Sequence, residues 1–140
     1  MIMIRIFQET DRAALIALWQ ACGLTRPWND PDTDISFCVA SPAATILVAE
    51  ENGAVIGSAM VGHDGHRGWV YYLAAAPTQQ KAGLGRKLMQ AAEDWCRQRG
   101  VPKLMLMVRP ENVAVRAFYE KLGYGEEERV IFSRRLDGEG

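Results

Sequence analysis

Cysteine is scarce in this 140-residue sequence, and the few cysteines present form no pattern. Cys22, Cys38 and Cys96 are scattered, odd in number and without CxxC spacing. Such a set does not make a disulfide framework, and it predicts a reducing, cytoplasmic setting.

An excess of charge of one sign is also missing, and so is a long apolar run. Sixteen Lys and Arg stand against seventeen Asp and Glu, a net charge of −1, so no general nucleic-acid-binding surface is expected. No apolar run approaches the roughly 18 residues of a membrane span, so no membrane partner is expected either. The short N-terminal stretch "MIMIRIFQE" alternates like a strand rather than a signal peptide.

No repeat, low-complexity tract or linker interrupts the chain. Its length predicts a single domain over residues 1–140. A hydrophobic fraction of 49% and a charged fraction of 24% are typical of a soluble globular protein with a real core.

The N-terminal part of the sequence predicts a strand and then a helix. Residues 3–7 read as the strand, and Thr10 or Asp11 offers an N-cap to the helix. Gly23 closes that helix.

A short second helix and a hairpin follow. Asp30 is placed to cap the helix, and Pro31 occupies its first turn. Two β-type runs flank Asn52-Gly53, a favoured hairpin turn, and they predict an antiparallel pair of strands.

The C-terminal half alternates strands and helices. Residues 69–75 predict a central strand that is apolar on both faces and therefore covered on both. Apolar positions recur at helical spacing over residues 84–100. Residues 103–108 predict a buried strand, 112–123 a helix and 129–136 a last strand. The order predicts a mixed sheet with helices packed on it, an α/β protein.

A glycine-rich loop follows the central strand and opens the long helix. Gly83 and Gly85 let the backbone approach an anion, and the helix N-terminus offers unpaired N–H groups and the positive end of its dipole. Lys81, Arg86 and Lys87 add positive charge. An ordinary turn can also contain two glycines, so the glycines alone do not distinguish an anion-binding loop from a turn, and the surrounding sequence must be considered.

Two common phosphate loops do not fit this spacing. The sequence has no GxxxxGK[ST], and in GxGxxG the third glycine position after Gly83-Leu84-Gly85 is Leu88. A nucleoside-triphosphate or dinucleotide fold is therefore a poor fit.

The context of the loop identifies a family. Gln80-Lys81-Ala82-Gly83-Leu84-Gly85 resembles the Q/R-x-x-G-x-G/A signature of the GCN5-related N-acetyltransferases, the GNAT superfamily. Downstream, "ENVAVRAFYEKLGY" resembles a second hallmark of that family, N-x-x-A-x-x-[LF]-Y-x-K-x-G-[FY], with Asn112 and Tyr119 at the expected separation. Val115 replaces the common alanine, a small change. Three shorter stretches, "LTRPWNDPDTDI", "GHDGHRG" and "YYLAAAP", resemble the small bacterial acetyltransferases of the YpeA type.

The resemblance covers essentially the whole chain and implies a fold. It implies an α/β GNAT fold, with a mixed, mostly antiparallel central sheet of about six to seven strands. About four helices should flank that sheet, and one central pair of strands should be splayed.

The resemblance also implies acetyl-CoA as co-substrate, with no metal. The pantetheine arm should lie along the backbone of the central strand, like an added strand. A backbone N–H there could polarise the thioester carbonyl. The loop should hold the pyrophosphate, and Asn112 of the second hallmark joins the cofactor-binding set. The other members are Leu73, Ala74, Ala75, Gln80, Lys81, Ala82, Gly83, Leu84, Gly85 and Arg86.

Tyr119 occupies the position of the tyrosine that serves this family as a general acid, which would protonate the departing CoA thiolate. The reference pKa of tyrosine, ~10, lies above the ~8.5 of a thiol, so the transfer is uphill by a modest amount. A core aromatic on a helix is the plainer interpretation, and for Phe118 it is the expected one.

The general base is not evident from the sequence. Many family members place a glutamate at the start of the central strand, where this chain has Trp69. Tyr71 and Tyr72, one on each face, could order a water relay. Further candidates are Asp64, His66 and Glu111. His63 and His66 with Asp64 lack a fourth ligand and are expected to be surface polar groups rather than a metal site. The cysteines fall on helical patterns and are expected in the core rather than as nucleophiles.

The acceptor side of the cleft is expected in the segment between the first two helices. Trp28 and Asp30, together with Tyr71 and Tyr72, are the predicted substrate-binding residues, since a carboxylate near an indole suits a cationic amine. Asp32 and Asp34 belong to the same acidic group. The alternative is that Asp30 only caps a helix and that Asp32 and Asp34 only complement its dipole.

The predicted function is therefore direct acetyl transfer from acetyl-CoA to an amine, with an α-amine of a small molecule or peptide favoured. The alternatives are a non-catalytic acyl-CoA sensor and, last, a structural α/β interaction domain. Dimers are common in this family, so a homodimer is an open alternative.

Overall fold

The computed structural model describes residues 1–80 and 82–138. Its strands are β1 (Ile2–Ile6), β2 (Ala44–Glu51), β3 (Ala54–His63), β4 (Gly68–Ala75) and β5 (Leu104–Met105). Its α-helices are α1 (Arg12–Ala21), α2 (Pro31–Val39), α3 (Leu84–Gln98) and α4 (Val113–Lys121). Two 3-10 turns, Glu9–Asp11 and Pro77–Gln79, precede α1 and the glycine-rich loop.

The five described strands form one mixed sheet in the order β1-β2-β3-β4-β5. The first four are antiparallel neighbours, and β5 runs parallel to β4. The hairpin between β2 and β3 is confirmed. Asn52 and Gly53 both have positive φ, 52° and 82°, the conformation that a two-residue turn needs and that these residue types tolerate.

Helices cover both faces of the sheet, which the apolar character of β4 predicted. On one face α1 and α2 bury Leu15, Trp19 and Ile35 against Ile46 and Val48 of β2. The other face is covered by α3, whose buried residues lie on one side of the helix as its periodicity predicted. They are Leu84, Leu88, Met89, Ala92, Trp95 and Cys96.

The chain forms two compact units, Met1–Met107 and Val108–Gly140. The first contains the whole sheet with α1, α2 and α3, and the second contains α4. The expectation of a single domain over residues 1–140 stays a prediction.

The predicted last strand is not present. Residues 129–136 are described without strand pairing, and Val130, Ile131 and Phe132 are exposed. A β-type sequence becomes a strand only when another strand satisfies its backbone groups. The sheet of the described residues consequently has five strands rather than six to seven. Likewise the strand predicted over 103–108 is limited to the two residues of β5.

The predicted Asp30 cap of α2 is confirmed, and Asn112 is found to cap α4. The Asp30 carboxylate accepts a hydrogen bond from the N–H of Asp32 at 3.0 Å, and Asn112 Oδ1 accepts one from Val115 at 3.3 Å. At α1 the predicted side-chain cap is wrong. Asp11 instead accepts hydrogen bonds from the Gln8 N–H and from the Arg5 guanidinium, because a 3-10 turn leads into this helix.

A bilayer-crossing helix would need both length and an apolar surface. None of the helices in the described ranges, residues 1–80 and 82–138, has both.

Candidate active site

Strand β4 has an unpaired edge. It pairs with β5 only at Gly68↔Leu104 and Trp69↔Met105. From Val70 to Ala75, in the part of the chain that the structure describes, β4 pairs with β3 alone. The two strands thus separate after one short contact, which is the splay that the family resemblance implied, and the backbone of β4 is free to pair with a ligand.

A bulge interrupts β4 at this unpaired edge. Ser58 is opposite Ala74 and Met60 is opposite Tyr71, so β4 has one residue more than β3 between these pairs. Tyr72 lies there in the left-handed region, with φ 53°. A non-glycine residue in that region costs about 1–2 kcal/mol, so the surrounding structure must hold it.

The fully buried Ser58 holds the bulge. Its Oγ donates a hydrogen bond to the carbonyl of Tyr72 at 2.8 Å, and it accepts one from Trp19 Nε1 at 2.9 Å. The indole of Trp19 in turn stacks on the ring of Tyr72, with centroids 3.7 Å apart and planes 8° from parallel. Both the backbone and the side chain of Tyr72 are therefore fixed by groups of the sheet and α1.

The bulge places Tyr71 and Tyr72 on the same face of the sheet, so the prediction of one on each face is wrong. Tyr72 and Met60 both pack against the core under α1 and α2. Tyr71 is opposite Met60, and directly paired residues share a face. The inserted residue puts two successive side chains on one side of the strand. Tyr71 remains 46% exposed on that side.

The hydroxyl of Tyr72 binds a carboxylate that the sequence did not single out. It donates a hydrogen bond to Asp34 Oδ2 at 2.6 Å. Asn29 Nδ2 donates to the same oxygen at 2.7 Å and to the Tyr72 hydroxyl at 3.2 Å. Burial, and then the hydrogen bond to the Asp34 carboxylate, raise the pKa of Tyr72 well above its usual value.

The position of Asp34 in the sequence of α2 could have predicted that its side chain faces the protein interior. It lies four residues before Cys38, one of the two buried residues of the helix, and residues four apart share a helix face. A carboxylate on the inward face requires a partner, and Tyr72 provides it.

The other acidic residues of this segment have structural partners. Asp30 Oδ1 accepts from the Asp32 N–H, and its Oδ2 accepts from the Thr33 hydroxyl at 2.9 Å, so capping occupies both oxygens. Asp32 forms an ion pair with Arg12 at 2.9 Å. Trp28 is 61% exposed, as a residue that meets a ligand can be.

The loop before α3 has the backbone that an anion site needs. Gly83 has φ 83°, and a Cβ built there would meet no atom of residues 1–80 or 82–138 within 4 Å, so the described part of the chain leaves this position open. Lys87 is the first residue to donate back into the helix, to Gly83 O at 3.2 Å. The N–H groups that precede it have no intrahelical acceptor. A pyrophosphate therefore fits this helix start, with the exposed Arg86 beside it. Lys81 lies outside the described residues.

The predicted pantetheine residues lie on the unpaired stretch of β4. Leu73 packs toward α3, whereas Ala74 is buried on the α1 and α2 side. The carbonyl of Ala75 accepts hydrogen bonds from Gln80 Nε2 and from Cys22 Sγ, both at 3.2 Å. Gln80 thus connects the loop to the strand. Because the side chains of Leu73 and Ala74 pack into the protein, a ligand along this strand would contact its backbone groups.

Tyr119 and Asn112 belong to the second unit. The ring of Tyr119 makes edge contacts with Phe118 at 5.0 Å and with Tyr124 at 5.9 Å between centroids. Burial raises the pKa of Tyr119 to about 12. The amide of Asn112 caps α4, as described above.

The other base candidates are exposed. Asp64 Oδ1 accepts hydrogen bonds from the N–H groups of His66 and Arg67, and these bonds lower the pKa of Asp64. Its Oδ2 accepts from Trp69 Nε1 at 3.3 Å. Glu111 is exposed in the second unit. Within residues 1–80 and 82–138, no three His, Cys, Asp or Glu side chains come together as metal ligands would.

All three cysteines are free. Cys38 and Cys96 are buried, as the helical patterns predicted, and Cys22 is half-buried. Burial raises the pKa of each thiol, the opposite of what a thiolate nucleophile needs.

Comparisons with known proteins identify the family. Residues 5–124 match the model of the acetyltransferase (GNAT) family. An acetyltransferase of Yersinia pestis is 44% identical over 133 residues, which are 95% of this chain and 94% of that protein. An acetyltransferase of Pectobacterium atrosepticum matches to the same extent. The chain belongs to the GNAT family of acetyltransferases.

Solved structures agree with the fold. The aminoglycoside N-acetyltransferase AAC(6')-Iy in complex with CoA superposes with a TM-score of 0.84 at 20% identity, over 97% of this chain and 95% of that one. The ribosomal-protein-S18-alanine N-acetyltransferase of Escherichia coli gives 0.79 at 28% identity, over 91% and 79%. The fold is the α/β GNAT fold, and the protein is an N-acetyltransferase that uses acetyl-CoA and acetylates an amine.

Proposed function

We propose that the protein acetylates α-amines, either of small molecules or of peptide N-termini, by direct transfer from acetyl-CoA. The observation that carries this proposal is the start of β4, where Trp69 stands instead of a carboxylate and donates its indole N–H to Asp64. A site without a strand glutamate does best with an amine that loses its proton easily. The reference pKa of an α-amine is ~7.7–8.0, against ~10.4 for a lysine side chain.

One of the structural neighbours supports the same acceptor class. The Escherichia coli enzyme at 28% identity is named for an alanine of ribosomal protein S18, and the only amine of an alanine residue is an α-amine. The exposed Trp28 and Tyr71 favour a cationic or planar partner on the acceptor side.

Acetyl-CoA supplies an activated acetyl thioester. On the protein side, the N–H groups that open α3 at Gly83 and Gly85 would bind its pyrophosphate. The unpaired backbone of β4, from Leu73 to Ala75, would pair with the pantetheine arm. Open space at Gly83 and a free strand edge support this assignment.

Tyr119 is the proposed general acid. With a pKa of about 12, its phenol stays protonated throughout the working range and holds a proton for the departing sulfur. Because that value is above the reference value of a thiol, ~8.5, transfer must accompany C–S cleavage rather than precede it.

A pair of peptides tests the acceptor. One has a free N-terminus and a blocked lysine, and the other has a blocked N-terminus and a free lysine. Release of CoA from acetyl-CoA should be faster with the first peptide at neutral pH, because more of its amine is unprotonated. A clear preference for the lysine peptide would contradict the proposal.

Two further properties belong to the same proposal. Three free cysteines with raised pKa values suit a reducing cytoplasm. A homodimer is also proposed, because dimers are common in this family. Sedimentation velocity at micromolar concentration would measure the oligomeric state.

A further inference from the structure

Asp34 uses only one of its two carboxylate oxygens in the hydrogen bonds of the described residues. Its Oδ2 accepts from both Tyr72 and Asn29. Its Oδ1 takes no hydrogen bond from any residue in the described ranges. The side chain is only partly buried, so Oδ1 is an anionic acceptor that a ligand can complete.

We propose that Asp34 Oδ1 is the general base of the reaction, and that Tyr72 is the residue that positions it. This inference rests on the proposed function and names the proton acceptor that β4 itself lacks. The attacking amine would donate an N–H to Oδ1. The C–N bond forms from the nitrogen lone pair, the C–S bond breaks, the nitrogen proton passes to Asp34, and the sulfur takes the proton of Tyr119.

A carboxylate suits this step although it is a weak base toward a free ammonium ion. An N–H becomes far more acidic once its nitrogen has attacked, since that nitrogen then bears positive charge. Asp34 therefore needs to accept the proton during bond formation and not before it. The unprotonated amine must arrive from solution, which again favours an amine with a reference pKa near 8.

The neighbouring acids are less suited to this role. Both oxygens of Asp30 serve the start of α2, and Asp32 is paired with Arg12 on an exposed surface. Asp64 is tied to its own turn by two backbone N–H groups. Asp34 alone among these four is bonded to the bulge of β4.

The bulge fixes the position of the Asp34 carboxylate through Tyr72. Ser58 Oγ binds the Tyr72 carbonyl, Trp19 stacks on the Tyr72 ring, and the Tyr72 hydroxyl binds Asp34. Tyr72 therefore belongs to the unpaired edge of β4 through its backbone and fixes the Asp34 carboxylate through its hydroxyl. Such fixed geometry is what a general base requires, since it must lie within hydrogen-bond reach of the proton that it removes.

The test compares Asp34→Asn with Asp34→Glu and with the control Asp32→Asn. Substituting Asp34 with Asn keeps the size and removes the proton acceptor, so kcat with the free-N-terminus peptide should fall about 10²-fold or more. The rise in melting temperature with acetyl-CoA should equal that of the parent. Asp34→Glu should recover part of the activity, and Asp32→Asn should stay within about twofold of the parent because it lies outside this network.

Tyr72→Phe provides a second readout, and it decides the matter if Asp34→Asn does not fold. It keeps the ring on Trp19 and removes only the hydroxyl, which is one of the two donors to Asp34 Oδ2. We expect kcat to fall about tenfold, because the base keeps its charge and loses one of its two hydrogen-bonded partners while Asn29 remains, and we expect the KM for acetyl-CoA to be unchanged. A purely structural role would instead change the acetyl-CoA KM or the melting temperature and leave kcat unaltered.

The outcomes separate the two proposals. If the parent releases no CoA with either peptide, the proposed acceptor is wrong and the role of Asp34 is lost with it. If the parent prefers the lysine peptide, only the acceptor class is wrong, and the variants are compared on that peptide. If the parent is active and Asp34→Asn keeps kcat within about threefold of it, the role of Asp34 alone is overturned.

Discussion

At the scale of single residues, Tyr72 combines three properties that are seldom found together. It is a non-glycine residue with positive φ, a stacking partner of a buried indole, and a hydrogen-bond donor to a carboxylate. Strained residues persist only where their surroundings hold them, and they are concentrated at functional sites. Here Ser58 and Trp19 stabilise the strained conformation of Tyr72, and the Tyr72 hydroxyl donates a hydrogen bond to Asp34.

The hydroxyl of Tyr119 is the proposed general acid, and a single substitution removes it. Tyr119→Phe keeps the ring contacts with Phe118 and Tyr124 and removes only the hydroxyl. Turnover should fall roughly 10²-fold or more with little change in CoA affinity, the pattern of a group that acts in the transition state. Steady-state kinetics and CoA titration would measure the two quantities. Equal turnover would return Tyr119 to a packing role.

Among residues, the sequence could predict a local backbone conformation but not the tertiary partner of a side chain. Gly83 was predicted because a strand, a glycine pair and a helix follow one another, and its positive φ agrees. The spacing of Asp34 from the buried Cys38 could have set it apart from Asp30 and Asp32, but its partner, a tyrosine 38 positions away, could not be predicted. Contacts of that kind arise from tertiary structure, which local patterns do not encode.

At the scale of elements, the glycine loop and α3 support the clearest experiment. Gly83→Val should lose the acetyl-CoA-induced rise in melting temperature, because its side chain would enter the open space at the helix start and strain a φ of 83°. Thermal unfolding with and without acetyl-CoA measures this.

A matched control lies at the other end of the same helix. Gly100 also has positive φ, 72°, with no atom near the position of a Cβ. Gly100→Val should show a similar loss of stability, of about 1–2 kcal/mol, and should keep the acetyl-CoA response. A Gly83→Val protein that responds like its parent would exclude the loop as the pyrophosphate site.

Elements were predictable where local chemistry decides them. The Asn52-Gly53 hairpin, the Asp30 cap and the apolar side of α3 all depend on residues within a few positions of each other. The segment 129–136 was mispredicted because β-type composition does not provide a pairing partner. The bulge in β4 was missed because its sequence still reads as a simple apolar strand.

At the scale of the whole molecule, an ion network connects the N-terminal strand to the rest of the sheet. Arg5 on β1 forms a bidentate pair with the buried Asp11 and a second bond to Glu50 on β2. The hydrogen bond from Arg5 is the main cause that lowers the pKa of Asp11, and a backbone N–H adds to it. Removal of Arg5 would leave the buried Asp11 without its counterion, whereas removal of Asp11 would leave Arg5 paired with Glu50 alone.

The dependence of stability on pH follows from this network. Because the folded-state pKa of Asp11 is depressed, its contribution is complete above the unfolded value of ~3.9 and is lost as pH falls through the folded value. Asp11→Asn should lower the free energy of unfolding by about 2 kcal/mol at pH 7. Urea unfolding of both proteins should show this difference shrinking below about pH 4. A difference independent of pH would show that charge is not the cause.

The extra residue in β4 changes which side chains of the strand, odd-numbered or even-numbered, face α1 and α2. Before the bulge the side chains toward α1 and α2 are at odd positions, Trp69 and Tyr71, and after it they are at even positions, Tyr72 and Ala74. The strand thus changes phase once along its length. A single deletion at the bulge would restore strict alternation and leave Trp69 and Ala74 on their present face, whereas a deletion elsewhere in the strand would turn the residues on one side of it to the opposite face. Insertions and deletions should therefore be tolerated in the turns around this strand, and a change of length in its regular parts, away from the bulge, should not be.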